Sequence, residues 1–462
     1  MDATFLFAKN FVNTRYEDLP PQVIEVTKKQ VLDLLGAAIG GFNKPGPKEL
    51  RELVLEWGGK EESRIMGTAL KVPAPNAAHV NATMVHALDY DDVHEAAVMH
   101  PGVIAIPTAM ALAERKGSLS GKELITIVAL GSDIMCRLGL STTPGRSPIE
   151  VGWHQTTLFG FMGAAAVAGR TLGLTEEQIV NAMGIAYHQS GGNGQSVKDG
   201  ALTKRLGPGF SVKGGITSAL LAQKGVTGAH NCLEGQWGLY PLYWRGDYDP
   251  KGLVADLGKV FEGERVSIKP YPCCRGLHPA IDAALALVKE HDITAENVES
   301  IALFVTEAHI SLLCSPFDVK IKPKSPVDAQ FSIPWGVATA IARRRATLED
   351  FSDAAIASRD ILDVTAKMRV EVDSSLRRGD KIEPTRVQIT TKEGAVYAKV
   401  VEHPLGSPER PMSFDDCAEK FRACASPIGP ERSGKVIELI RGLEGLDDIG
   451  EIMGLLEIEE VF

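Results

Sequence analysis

Three histidines and four carboxylates fall within the seventeen residues HALDYDDVHEAAVMHPG, positions 86–102. Side chains of these types in close sequence can ligate a divalent cation, move protons to and from a substrate, or line the solvated end of a helix. Over APNAAHVNATMVHALDYDD, helical spacing puts His86 and Asp89, three apart, within reach of each other. Past Asp92 the pattern breaks. His100 then stands directly before Pro101 and Gly102, where a further helix opens with an N-terminus that favours a bound anion. The acids DDVHE, Asp91 to Glu95, also fit the DDxxE pattern with which all-helical diphosphate-processing enzymes hold magnesium, and DDCAE at 415–419 and DDIGE at 447–451 repeat it. Such matches arise easily in an acidic helical chain, where acids in a first turn complement the helix dipole. The plain expectation for Asp91 to Glu95 is a capped, solvated helix end.

Three more stretches carry groups that could do chemistry. GWHQTTLFG places His154 directly before a helix of small residues, close to the unpaired N–H groups of its first turn. SGGNGQSVKDGALTKRLGPGFSVKGG reads as an adaptable glycine-rich loop carrying Lys198, Lys204, Arg205 and Lys213, a local basic pocket. It has no Walker pattern, and the nearest hit, GSLSGKE at 117–123, has the wrong spacing and lacks the following Ser or Thr. SIKPYPCCRGLHPAID gathers Lys269, Tyr271, Cys273, Cys274, Arg275 and His278 just ahead of a helix. It is suited to clamp a carboxylate by charge-assisted hydrogen bonds worth roughly 1.5–3 kcal/mol each. The seven cysteines include no CxxC pair, which argues against a zinc ribbon or iron–sulfur cluster and for reduced, buried thiols.

The bulk composition narrows the partners. Forty-nine Lys and Arg against fifty-nine Asp and Glu leave a net charge of −10, which opposes general affinity for nucleic acid or anionic lipid. A small anionic substrate therefore needs one of the local basic segments. MDATFLFAKNFVNTRYEDLP carries neither a signal nor a transit pattern, so a cytoplasmic location is expected. The most apolar run, TTLFGFMGAAAVAG, falls short of the roughly 20 residues that span a bilayer, and no membrane association is expected.

The elements that must position these groups are mainly helical. Residues 1–264 show three- and four-residue apolar spacing punctuated by glycine and proline, as in PPQVIEVTKKQVLDLLGAAIGG. From 265 to 405 the pattern changes: VESIALFVTEA, KMRVEVD and TRVQITTKEGAVYAKVVEH have the β-branched enrichment of strands, the last joined into a hairpin by Lys-Glu-Gly. Amphipathic helices return over 406–462, too short a stretch to bury much surface alone. The expected architecture is a discontinuous all-α helical domain with an inserted α+β lid domain and a site in the cleft between them.

Taken in order, HALDYDD…HPG, GWHQT, TKRLGPG and IKPYPCCRGLHPAID resemble the MmgE/PrpD family over nearly the whole chain. The resemblance implies that family's helical domain and lid, a homodimer, and catalysis without metal, cluster or nucleotide. By motif match it implies Asp89, His100 and His154 as proton-transfer residues, Lys204 and Lys269 as carboxylate clamps, and Arg275 and His278 near the substrate. Two positions depart from the family pattern: Val93 replaces a Thr or Ser after the acidic pair, and Trp335, in DAQFSIPWGVA, replaces a Tyr. Trp335 keeps an N–H donor for a substrate but cannot exchange a proton as a phenol can. The implied reaction is cofactor-independent dehydration of a 2-methylcitrate-like di- or tricarboxylate, with iminodisuccinate-like epimerisation or cis-aconitate-type decarboxylation as alternatives. Of other classes, the DDxxE acids suggest a magnesium-dependent prenyl-diphosphate enzyme, and the two departures a carboxylate-binding protein without turnover.

Overall fold

In the computed structural model, which describes residues 1–142, 152–378 and 382–458, helices dominate and the sheets are small. Asp2 accepts from the Thr4 N–H at 2.9 Å and so starts α1 (Ala3–Asn13). α2 (Pro21–Gly41) opens on proline, whose missing N–H would have no helical acceptor anyway, and is buried along most of its length. α3 (Pro47–Trp57), α4 (Ala74–His86), α5 (Gly102–Lys116), α6 (Gly121–Leu140), α7 (Gln155–Leu172), α8 (Glu176–His188) and α9 (Thr203–Gln223) follow. The only strands among the described residues before 265 are an antiparallel pair of two residues each, β1 (Ser63–Arg64) and β2 (Lys71–Val72). No helix among the described residues is long and apolar enough to cross a membrane.

The chain divides into two compact units. One is Met1–Ile268 together with the residues from Ser413 onward, and the other is Lys269–Met412. These boundaries lie at 268 and 412 where the composition change suggested 264 and 405. Ser267 exchanges backbone hydrogen bonds with Val93 and stays with the first unit. Leu405 N–H and Arg410 bind the Asp282 carboxylate and keep the 404–410 turn in the second.

In the first unit α9 packs along α7, α4 and α8. The glycine-rich stretch is therefore largely helix, not loop, and Lys204, Arg205 and Lys213 are helical residues; the side chain of Lys198 lies outside the described residues. The glycines permit close approach. A Cβ at Gly209 would stand 2.3 Å from Thr83 Oγ1, and one at Gly215 would stand 2.4 Å from the Ala164 Cβ. α2 repeats the device: a Cβ at Gly41 would meet the Met84 carbonyl oxygen at 2.0 Å, so the glycine lets the end of α4 settle against it.

In the second unit a four-stranded sheet has the order β4-β3-β5-β6. β3 (Val298–Val305) runs parallel to β4 (Met368–Val372) and antiparallel to β5 (Arg386–Thr391), which forms the expected hairpin with β6 (Val396–Val400). α10 (His278–Glu290) and α11 (Ile333–Arg343) contribute Leu287, Ile281, Val337 and Ile341 to a core shared with Ile301, Leu303 and Ile389 of the sheet.

Candidate active site

The C-terminal end of α4 delivers His86, and the chain then turns sharply. Asp89 adopts the left-handed region, φ 51°, with its N–H given to the His86 carbonyl at 3.3 Å. The helix thus stops three residues short of Asp89, and His86 does not pair with it. Its Nδ1 meets Asp91 Oδ2 instead, at 2.8 Å, and the Nδ1 of His100 stands 3.2 Å from that same oxygen. Asp91 is completely buried between the two rings. Burial works to raise its pKa, but the flanking imidazoles of His100 and His86 outweigh it and hold the carboxyl well below the usual range.

An ionised carboxylate only accepts hydrogen bonds, so the His86 Nδ1 bonded to Asp91 carries the proton. His86 is also wholly buried, and the loss of hydration outweighs the pull of Asp91 and lowers its pKa to about 4. It is the neutral Nδ1–H tautomer near pH 7. The backbone N–H of His100 donates to Thr156 Oγ1 at 3.1 Å, fixing the residue against the first turn of α7.

His154 is the N-cap residue of that helix. Its Nδ1 lies 2.7 Å from Thr157 Oγ1, and its ring centroid lies 5.9 Å from that of His86. Burial, reinforced by the nearby His86 and Lys204, holds it neutral. Lys204, in the first turn of α9, donates to Asp89 Oδ1 at 2.5 Å. The first unit therefore brings together Asp89, His100, His154 and Lys204, and adds His86 and Asp91.

Asp91 and Asp92 are not a solvated helix end. Both are fully buried, because distant partners compensate them. Gln30 of α2 donates to Asp92 at 2.8 Å, and the Gly102 N–H, at the start of α5, lies 3.3 Å from each of its oxygens. Burial together with the neighbouring Asp91 charge raises Asp92 to about 8, so it is the protonated member of the pair near neutrality. Glu95 accepts from Ser267 Oγ at 2.6 Å. The three acids of DDVHE thus face three different partners rather than one cation. Ligand atoms of His86, Asp89 and His100 do lie within 4.8 Å of one another. A dication there would compete with the Lys204 ammonium for Asp89, whereas an anion would not.

Within the second unit, Lys269 is buried and opens the chain segment, two residues after Ser267. Arg275 donates to the carbonyls of Leu405 at 2.9 Å and Pro404 at 3.4 Å, and to His278 Nδ1 at 3.0 Å. His278, the first residue of α10, has its Nε2 3.4 Å from the Cys273 carbonyl. Trp335 corrects the expectation that its N–H serves a substrate. The side chain is wholly buried in the core of this unit, and Nε1 donates to the Asp350 carbonyl at 3.1 Å. Val93 likewise acts through its backbone, in the bridge to Ser267.

Gln30 did not stand out from sequence, and His86 and Asp91 were read apart, the one as a neighbour of Asp89 and the other as part of a helix end. The usable signal was Gln30 at the head of the mainly apolar run that ends α2, and histidines five and nine positions from an acid that a turn could fold back on.

The chain matches the MmgE/PrpD N-terminal domain over residues 6–251 and the MmgE/PrpD C-terminal domain over residues 271–444. Cis-aconitate decarboxylase of Aspergillus terreus is 27% identical over 468 residues, covering 96% of this chain and 94% of that protein. Cis-aconitate decarboxylase of Homo sapiens is 26% identical over 468 residues, 98% and 94% of the two chains. 2-Methylcitrate dehydratase of Cupriavidus necator is 24% identical over 451 residues, 92% and 90% of the two. These relatives are enzymes; the N-terminal match lies within the first compact unit, and the C-terminal match covers the second and continues into the residues after 412 that belong to the first. The chain belongs to the MmgE/PrpD family.

Proposed function

We propose that the protein is a lyase acting on a small di- or tricarboxylate, with proton transfer by His100 and His154 and charge neutralisation by Lys204 and Lys269. The observation that carries this reading is the gathering in one unit of the Asp91 carboxylate, buried between the imidazoles of His86 and His100, with the Lys204–Asp89 ion pair and His154 beside them. Lyase chemistry on such acids passes through a carbanion or enolate beside a carboxylate. An ammonium placed on that carboxylate stabilises the charge as it develops, commonly the largest contribution to catalysis. Lys204, already oriented by Asp89, supplies it. Lys269 follows the Ser267–Val93 bridge by two residues and is assigned a second substrate carboxylate.

In dehydration of a 2-methylcitrate-like acid, neutral His154 removes the α-proton and His100 protonates the departing hydroxyl, which leaves as water. In decarboxylation of a cis-aconitate-like acid, the carboxylate leaves as carbon dioxide, its bonding electrons pass to the adjacent carbon framework, and His100 delivers a proton to carbon. The higher identities to proteins named cis-aconitate decarboxylase favour the second bond. Incubation with 2-methylcitrate, citrate and cis-aconitate in deuterium oxide separates the two. Dehydration yields an alkene with no carbon dioxide, whereas decarboxylation releases carbon dioxide and leaves one solvent deuterium on carbon. A protein that turns over none of these acids and gains no thermal stability from them contradicts the proposal.

A further inference from the structure

α2 buries two polar residues, Gln30 and Asp33, three apart and so on one side of the helix. Gln30 reaches Asp92. Asp33, fully buried, holds the ammonium of Lys420 at 2.5 Å. Lys420 belongs to the C-terminal helix Phe414–Cys424 and has two further contacts. It donates to the Tyr90 carbonyl at 2.7 Å, and its ammonium stands 3.6 Å above the Tyr90 ring. That carbonyl is part of the peptide joining Tyr90 to Asp91. On its two sides lie the Asp89 carboxylate, turned to Lys204, and the Asp91 carboxylate, turned to the imidazoles. Asp89 itself sits at φ 51°, a conformation that persists in a non-glycine residue when its surroundings impose it. The helix bearing Lys420 is seated firmly: a Cβ at Gly36 of α2 would lie 3.1 Å from the Phe421 ring, and one at Gly40 would lie 3.4 Å from the Cys424 carbonyl.

We infer that Lys420 is a positioning residue for the candidate site: from some 330 residues away in sequence it clamps the Tyr90–Asp91 peptide and thereby aims the carboxylates of Asp89 and Asp91. The inference rests on the lyase reading only for its kinetic consequence. A purely structural ion pair is the competing account. Replacing a buried pair by apolar residues of similar size is often neutral for stability, so the two accounts separate experimentally.

In the double variant Lys420→Met with Asp33→Leu, both charges and the tie to Tyr90 are gone. The fold is expected to be kept, kcat to fall by about 10²-fold, and KM to change far less, as misplacement of reacting groups produces. The imidazole Cε1–H NMR signals of His86 and His100 are expected to shift. Asp33→Asn, which leaves Lys420 beside Tyr90, should lose less kcat than the double variant, and Lys420→Arg should recover part of it. A folded double variant with wild-type kcat and unshifted imidazole signals overturns the inference. If the double variant does not fold, Lys420→Gln decides by the same two readings. If the wild type turns over no polycarboxylate, the lyase reading fails, and the NMR comparison alone decides on Lys420: unshifted signals overturn it and shifted signals support it.

Discussion

Around residues 86–100 the Asp89 and Asp91 carboxylates face other titratable side chains, whereas around residues 269–278 Arg275 and His278 also bond main-chain carbonyls, and Tyr271 donates to the Asp282 carboxylate. Asp91 sits between two imidazoles and Asp89 under an ammonium. Arg275, by contrast, gives its donors to the carbonyls of Pro404 and Leu405, and His278 lies between Arg275 and the Cys273 carbonyl. A side chain bound to another titratable side chain can change proton or partner when a substrate arrives. One bound to the backbone holds loops in place. Under the proposed function, proton transfer belongs to the first region and Arg275 of the second has a structural role, although both offered similar residue types in sequence.

The largest expected effect lies in the first region. His100→Gln should lower kcat by about 10²–10⁴-fold with melting nearly unchanged, measured on whichever acid the wild type consumes. Activity within a few-fold of wild type would shift the chemistry elsewhere. Arg275→Met should behave in the opposite way. It strands the buried Pro404 carbonyl and the part-buried Leu405 carbonyl at a cost of about 1–3 kcal/mol, seen as a lower melting temperature, with kcat in the surviving folded protein reduced much less than in His100→Gln. A large loss of kcat without loss of stability would return Arg275 to the substrate.

Asp92 gives a smaller effect that depends on pH. Its carboxyl stays protonated up to about pH 8 in the folded chain, while in the unfolded chain it ionises near 3.8. The native state holds the extra proton between those values, so this contribution is fully present at low pH and is lost as pH rises through 8. Asp92→Asn cannot ionise and should lose less stability than the wild type between pH 6 and 9 in thermal melts. Equal slopes would show that Asp92 is already charged at pH 6. The smallest effect is expected at Trp335. Trp335→Phe should cost about 1 kcal/mol for the lost bond to the Asp350 carbonyl and leave KM unaltered, and a raised KM would put the indole in contact with substrate.

Much of the fold was legible because its signals are local. Proline at the start of α2 and the β-branched runs of β3, β5 and β6 state their conformation within a few residues. The glycine-rich segment misled because the same composition serves a flexible loop or a helix pressed against its neighbours. Only the presence of Thr83 and Ala164 opposite Gly209 and Gly215 decides between them. Asp89, His100, His154 and Lys204 were reached through family resemblance and come together in one unit. Asp91 and Asp92 were misjudged as solvated because an acid's burial is set by what compensates it. Those partners, His86, His100, Gln30 and the Gly102 N–H, are brought near by the fold and not by spacing.

The account's central claim is that the ammonium beside Asp89 neutralises charge on a substrate carboxylate. It is tested most directly by the steady-state kinetics of Lys204→Met on the acid that the wild type consumes, with melting followed in parallel. Loss of about 10²–10³-fold in kcat with the fold retained is the predicted result. Wild-type turnover by the folded variant would contradict it.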